Sequence, residues 1–304
     1  MVKLNSRPSI GLALGGGAAR GWAHIGVILA LEEYGIRPDI VCGTSIGALV
    51  GAVYSVGKID RFKEWAVGLT IKNVISFMDI ALNGGMLKGE RLMEFFRQDF
   101  IDCSIEDLKV PFGAVATALH TGAEVWLRSG PTLDAIRASI ALPGLFSPVW
   151  HAGQLLVDGG LVNPVPVSLA RAMGADILIA VDLSSDTLAR HLVRDSAAAA
   201  QADSPGYEWV RKMRSGFGSL LSDEDKNEQR LPRMLDVVAS SLNIMQVRIT
   251  RSRMAGEPPD IIITPKLAHF GLLDFHQAQE AIEAGRRSVE SCLPALKGLE
   301  LSGF

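Results

Sequence analysis

The chain of 304 residues has few cysteines, no dense run of basic residues and no long apolar run. Its three cysteines, Cys42, Cys103 and Cys292, are far apart and form no Cys-x-x-Cys pair, which argues against a disulfide framework or a zinc site. The net charge of -3 argues against a nucleic-acid partner. No segment reaches the ~18 uninterrupted apolar residues that a membrane span requires, and the first residues carry no apolar signal core. We therefore expect a soluble, cytoplasmic protein.

What the chain does contain is an alternation of short apolar strands and helices. Strands are predicted at 10–14, 39–42 and 177–183, and helices follow the first two at 22–33 and 46–56. Such alternation is typical of a parallel sheet with right-handed crossovers. The predicted fold class is therefore a three-layer α/β/α domain with a mostly parallel central sheet.

The composition changes after residue 183. Residues 184–232 are rich in Ser, Asp, Arg, Gln and Gly, which indicates a polar, lid-like insertion. The core, 8–183 and 233–292, is then one domain within residues 1–304. The part of the insertion at 209–221 has apolar residues at helical spacing and three basic residues, so it could lie on an anionic membrane surface. The alternative is that it packs on its own protein.

Three details of the helices are also predicted. Arg61 to Phe77 is expected to form one helix, and Ser104 is expected to cap a short one. The pattern Asp274-x-x-Gln277 predicts the capped start of a helix that runs to Glu290.

The segment Val41-Cys42-Gly43-Thr44-Ser45-Ile46-Gly47 has the pattern of a nucleophile elbow, with a strand, a Gly-x-Ser-x-Gly turn and a helix. A serine hydroxyl is a weak nucleophile, and a sharp turn exposes it to a base and to a substrate carbonyl. Gly43 and Gly47 give this turn room. The alternative for Ser45 is a tight turn with no chemistry.

A glycine-rich loop follows the first strand and supplies candidate oxyanion donors. The N–H groups of Gly15, Gly16, Gly17 and Ala18 precede a helix, so they and the helix dipole point to one place. Arg20 adds positive charge nearby, although it could simply pair at the surface. A dinucleotide fingerprint is disfavoured because Arg20 stands where Gly-x-Gly-x-x-Gly needs glycine, and no Gly-Lys-Ser/Thr follows as a P-loop would require.

No histidine lies in a motif that would place it opposite Ser45, and His24 is expected to be a hydrogen-bonded core residue. Asp158 is the better candidate for a base, because it ends a predicted strand and precedes Gly159-Gly160. The alternative is an Asp-Gly turn in which the carboxylate binds its own backbone.

Taken together, Gly15-Gly16-Gly17-Ala18-Ala19-Arg20-Gly21, Gly43-Thr44-Ser45-Ile46-Gly47 and Asp158-Gly159-Gly160 resemble the three signature blocks of patatin-like phospholipases. The chain looks most like the bacterial RssA-type members, which are related to the neuropathy target esterase catalytic domain. Asp274-Phe275-His276 and Ala281-Ile282-Glu283-Ala284-Gly285 in the tail add to this likeness.

The resemblance implies a serine hydrolase of lipid acyl esters that uses a Ser-Asp dyad without histidine. Ser45 would be the acylated nucleophile, Asp158 the general base, and the amides from Gly15 to Ala18 the oxyanion hole, with Arg20 assisting. No metal or organic cofactor is implied. The alternative is a regulatory or interaction protein on the same fold with weak or vestigial activity. The oligomeric state stays open, and peripheral contact with the inner face of the membrane would occur through 209–221.

Overall fold

The computed structural model describes residues 7–77, 87–185 and 234–299. Most of the insertion 184–232, including 209–221, lies outside these residues. The described residues contain one eight-stranded sheet. Its strands, in chain order, are β1 (Ile10–Leu14), β2 (Ile40–Thr44), β3 (Phe112–Ala118), β4 (Glu124–Leu127), β5 (Val149–His151), β6 (Gln154–Asp158), β7 (Ile177–Val181) and β8 (Ile261–Ile263).

Five neighbouring strands, in the order β8-β7-β1-β2-β3, form the parallel part of the sheet. Leu12 in the centre pairs with Val41 on one side and with Ile179 on the other. Every residue of β1, β2 and β3 is buried, which is typical of parallel strands covered on both faces. The prediction of a mostly parallel sheet is confirmed.

Strand β3 joins the parallel part to three antiparallel strands. Ala114 pairs with Gly43 of β2 on one edge and with Leu127 of β4 on the other. Where β2 ends, β6 continues along the same edge of β3, with Asp158 opposite Ala116. The carboxyl ends of β2 and β6 therefore meet beside the middle of β3, and this places the candidate site.

Helices cover both faces of this sheet. They are α1 (Ala23–Glu33), α2 (Ile46–Ser55), α3 (Ile59–Val67), α4 (Ile71–Ser76), α5 (Glu90–Asp99), α6 (Thr132–Ser139), α7 (Val167–Ala172), α8 (Met234–Gly256) and α9 (Ala278–Gly298). Short 3-10 turns occupy Ala18–Trp22, Ile105–Asp107, Gly159–Leu161 and Phe275–Gln277.

The core has two parts, one on each side of the sheet. Leu12 and Leu14 of β1 pack into the larger cluster with α1, α2 and α9, whereas Ala13 between them packs into a smaller cluster with α7. This follows from the alternation of side chains along a strand. Helices α1 and α9 cross closely, since a Cβ added at Gly26 would lie 1.8 Å from the carbonyl O of Ile282. The three-layer α/β/α class is confirmed.

Three local predictions were wrong. Arg61 to Phe77 is not one helix, because α3 ends before Gly68 and Thr70 begins α4 with a capping box that pairs it with Asn73. Ser104 makes no side-chain cap to the turn that follows it. Asp274 does not cap its helix either, since its carboxylate accepts the Gly271 N–H at 2.8 Å. Strand β5 was also missed, being only three residues long.

Candidate active site

Ser45 lies at the turn between β2 and α2, as the elbow pattern predicts. Its backbone has φ 56° and ψ -125°, a conformation that costs a non-glycine residue on the order of 1–3 kcal/mol. The two elbow glycines are needed for close packing. A Cβ at Gly43 would lie 2.3 Å from the carbonyl O of Gly47, and one at Gly47 would lie 2.2 Å from the carbonyl O of Leu14.

Asp158 meets Ser45 because the two strands that carry them end side by side. Thr44 pairs with Val115 of β3, and Asp158 pairs with the next residue, Ala116. The Ser45 Oγ donates a hydrogen bond to Asp158 Oδ2 at 2.6 Å. Residues 113 positions apart in the chain are thus in direct contact.

The Asp158 carboxyl group is almost fully enclosed, with 1% of the residue exposed. Its second oxygen, Oδ1, accepts the Gly160 N–H at 2.7 Å. Burial raises the pKa of Asp158 to about 6, and the hydrogen bonds from Ser45 and Gly160 only partly oppose this. At neutral pH the group is therefore mostly ionised, yet it is a stronger base than an exposed aspartate.

The glycine-rich loop lies against Ser45, since a Cβ at Gly16 would be 3.4 Å from the Ser45 Cβ. Its four amides are not equivalent. The Gly15 N–H donates to the carbonyl O of Val181 at 3.0 Å, and the Gly16 N–H donates to that of Pro164 at 2.9 Å. Both hydrogens are engaged by backbone, so the predicted role of Gly15 and Gly16 as oxyanion donors stays a prediction that would require these hydrogen bonds to break.

Gly17 and Ala18 differ from the two residues before them. Within the described ranges, their N–H groups have no hydrogen-bond acceptor. Ala18 has φ 50°, a left-handed conformation that is costly for alanine. It begins the 3-10 turn Ala18–Trp22. Of the four loop amides, these are the two whose hydrogens are not engaged by backbone in the described residues, as a donor to an oxyanion requires.

Two positively ionisable side chains flank this loop. Arg20 is 7% exposed, and its Nε donates to the carbonyl O of Phe270 at 3.4 Å. His24 is fully buried, and its Nε2 donates to the carbonyl O of Gly15 at 2.7 Å. Burial lowers the pKa of His24 to about 4, so the imidazole is neutral. His24 therefore holds the loop, in agreement with the expectation of a hydrogen-bonded core residue.

Helix α8 supports the turn that follows Asp158. The Arg253 Nη2 pairs with Glu124 Oε2 at 2.7 Å, and its Nη1 donates to the carbonyl O of Val162 at 3.4 Å. Asn163, the next residue, donates its amide to Glu124 at 2.7 Å and accepts the Thr44 hydroxyl at 2.8 Å through its carbonyl O. This network links the ends of β2 and β6 from the side of β4.

Ser139 is a buried site residue that sequence reasoning missed. Its Oγ accepts the Ser45 N–H at 2.9 Å. Nothing in the sequence around Ser139 marks it, since the contact joins residues 94 positions apart. A serine at the end of a predicted helix is by itself an ordinary feature.

The hydrogen bonds of Ser45 and Asp158 in the described part of the chain involve no histidine. His191 lies outside that part. Among the same residues, no group of three or more His, Cys, Asp or Glu side chains is placed to hold a metal ion. None of the described helices is both long and apolar enough to cross a membrane.

The fold is an α/β/α sandwich with a mostly parallel sheet, and the site in it consists of a serine elbow beside a buried aspartate. The family model of the patatin-like phospholipases matches residues 12–171, which include both Ser45 and Asp158. The chain belongs to the patatin-like phospholipase family.

Proteins similar to this chain are named as NTE family proteins, lysophospholipases or patatin-like phospholipase proteins. A Mycobacterium tuberculosis protein named as an NTE family protein is 34% identical, over 97% of this chain and 94% of the relative. Lysophospholipase nte1 of Aspergillus terreus is 30% identical over 95% of this chain, which spans 18% of that longer protein. Patatin-like phospholipase domain-containing protein 6 of Mus musculus is 38% identical over 58% of this chain and 14% of its own length.

Proposed function

We propose that this protein is a serine hydrolase of lipid acyl esters, of the phospholipase A or lysophospholipase and carboxylesterase type. The observation that carries the proposal is the 2.6 Å hydrogen bond from the Ser45 hydroxyl to the buried Asp158 carboxylate. It is supported by membership of the patatin-like phospholipase family and by a fungal relative named as a lysophospholipase.

In the first half of the proposed reaction, Asp158 accepts the Ser45 proton while the Ser45 Oγ attacks the ester carbonyl carbon. Negative charge develops on the carbonyl oxygen, where the Gly17 and Ala18 N–H groups donate to it. When the tetrahedral intermediate collapses, the bond to the alcohol oxygen breaks. The proton held by Asp158 passes to this leaving alcohol, and Ser45 is left as an acyl ester.

The second half repeats these steps with water. Asp158 accepts a proton from water, the hydroxide adds to the acyl carbon, and the Ser45–acyl bond breaks as Ser45 regains the proton. The fatty acid leaves and the enzyme is restored. Every proton in this sequence moves between Ser45, Asp158, water and the two products, so the scheme needs no metal or organic cofactor.

The proposal is tested by hydrolysis of lysophospholipids, diacyl phospholipids and simple acyl esters, with release of fatty acid as the readout. We expect wild-type protein to turn over at least one of these classes and Ser45→Ala to lose that turnover. Ser45→Ala removes only the hydroxyl oxygen, so circular dichroism should show an unchanged fold. Full activity in Ser45→Ala, or none in wild type, would refute the proposal.

We further propose a cytoplasmic location with peripheral contact to the inner face of the membrane through residues 209–221. The support is their composition, with three basic residues, no acidic residue and apolar residues at helical spacing. Anionic liposomes should sediment wild-type protein more completely than a variant that lacks 209–221. Equal sedimentation of both would exclude this contact.

A further inference from the structure

Ser139, the last residue of α6, has a hydroxyl group that is hydrogen-bonded to the backbone of two other segments, at Ser45 and at Val115. The residue is 0% exposed. Its Oγ accepts the Ser45 N–H at 2.9 Å and donates its own hydrogen to the carbonyl O of Val115 at 2.6 Å. A hydroxyl can accept and donate at once, whereas a methyl group at this position can do neither.

The same end of α6 also holds Asp158. The Asp158 N–H donates to the carbonyl O of Ala141, two residues after Ser139, at 3.0 Å. One short segment, 139–141, is therefore hydrogen-bonded to the backbone of both dyad residues. Val115, which accepts the Ser139 hydrogen, is also the strand partner of Thr44. The relative position of Ser45 and Asp158 consequently depends on this segment as well as on the sheet.

The conformation of Ser45 explains why such a contact matters. Its φ of 56° is unfavourable for serine, and an N–H group in a buried site is costly without an acceptor. Ser139 supplies that acceptor. Without it, the Ser45 N–H has lost its partner and the elbow is free to relax towards a less strained geometry. The Oγ would then leave the position in which it lies 2.6 Å from Asp158.

We propose that Ser139 is a positioning residue: it holds the strained Ser45 elbow in the conformation that keeps the Ser45 Oγ within hydrogen-bond distance of Asp158 for nucleophilic attack. The inference rests on the proposed hydrolase function. It differs from a general packing role, because it requires loss of the Ser139 hydroxyl to slow the attack of Ser45 more than it weakens substrate binding or the fold.

Thr132 at the other end of the same helix provides a matched control. It is also 0% exposed, and its hydroxyl donates to the carbonyl O of Cys103 at 2.8 Å. None of its hydrogen bonds in the described ranges reaches the dyad residues. Thr132→Val and Ser139→Ala each remove one buried hydroxyl from α6, so both should lower the melting temperature. Only Ser139→Ala should affect Ser45.

The experiment compares wild type, Ser139→Ala, Ser139→Thr and Thr132→Val by fluorophosphonate labelling rate and by kcat and KM on the best ester substrate. We expect Ser139→Ala to lower the labelling rate and kcat by about 10- to 100-fold, the scale of a misplaced reacting group, with little change in KM. Ser139→Thr keeps the hydroxyl and should recover most of the rate. Thr132→Val should stay near wild type.

A wild-type labelling rate in Ser139→Ala would overturn the inference, as would an equal loss in Thr132→Val. If Ser139→Ala does not fold, Ser139→Cys takes its place, because it keeps the side-chain volume but hydrogen-bonds weakly. A wild-type rate in that variant would overturn the inference too. Ser45→Ala separates the two hypotheses. If wild-type protein is labelled and Ser45→Ala is not, the proposed function is supported whatever the labelling rate of the Ser139 variants. If wild-type protein is not labelled, both hypotheses are refuted.

Discussion

Ser45 directly follows β2, Asp158 is the last residue of β6, and both precede closely packed backbone, but their local conformations differ. Ser45 has φ 56° and ψ -125°, whereas Asp158 has φ -49° and ψ 133°, with the negative φ that non-glycine residues ordinarily adopt. The proposed nucleophile is thus presented by a strained turn. The proposed base lies on backbone with a negative φ, and burial raises the pKa of this carboxyl group to about 6. The comparison suggests that the reactivity of Ser45 depends mainly on geometry and that of Asp158 on its environment.

The largest expected effect comes from the base. Asp158→Asn keeps the size of the side chain but removes the carboxylate that accepts the Ser45 proton. We expect kcat to fall by about 10²- to 10⁴-fold, the usual contribution of a general base, while KM changes little. Steady-state hydrolysis measures both constants. A loss below tenfold would mean that another group accepts the proton.

The next largest effect tests the geometry of the elbow. Gly47→Ala places a Cβ 2.2 Å from the carbonyl O of Leu14, so backbone must shift. We expect about 1–3 kcal/mol of lost stability and a loss of activity of about 10²-fold as Ser45 is displaced. Urea unfolding and ester hydrolysis provide the two readouts.

Gly68→Ala is the matched control for that variant. A Cβ at Gly68 meets nothing closer than 3.5 Å, and its φ of -76° suits alanine. It should be as stable as wild type or slightly more so, with normal activity. If Gly47→Ala behaves in the same way, the elbow is less constrained than its geometry indicates.

The third prediction concerns pH and tests the environment of the base. Attack requires the ionised carboxylate, so kcat/KM should fall as pH drops through the pKa of Asp158, which burial raises to about 6. At pH 5 we expect kcat/KM about tenfold below its plateau. A pH–rate profile checks this. An acid limb near pH 4, the range of an exposed aspartate, would show that burial does not raise the pKa of Asp158.

The smallest expected effect tests whether the histidine next to the β6 strand takes part in the reaction. His151 is the histidine closest in the chain to Asp158, and it pairs with Gln154 in the β5–β6 hairpin. His151→Gln should change kcat by no more than about twofold, as for a substitution away from the reacting groups. Hydrolysis kinetics of this variant beside Asp158→Asn provide the comparison. A large loss would point to histidine in the mechanism.

The parts that could be predicted from sequence are those with local signals. Ser45 and Asp158 stand at strand ends in glycine-marked turns, and alternating strands and helices predict the parallel sheet. The partners of Gly15 and Gly16 could not be predicted, because Val181 and Pro164 approach only after the chain has folded. The contact of Ser139 with Ser45 could not be predicted for the same reason. Strand β5 has three residues, too few for a periodic pattern.

The central claim is that Asp158 activates Ser45, and intact-mass analysis after fluorophosphonate treatment tests it most directly. Wild-type protein should gain one adduct, and peptide mapping should place it on Ser45. Ser45→Ala should gain none, and Asp158→Asn should react far more slowly than wild type. The account would be contradicted if wild-type protein gained no adduct, if the adduct lay on another residue, or if Asp158→Asn reacted at the wild-type rate.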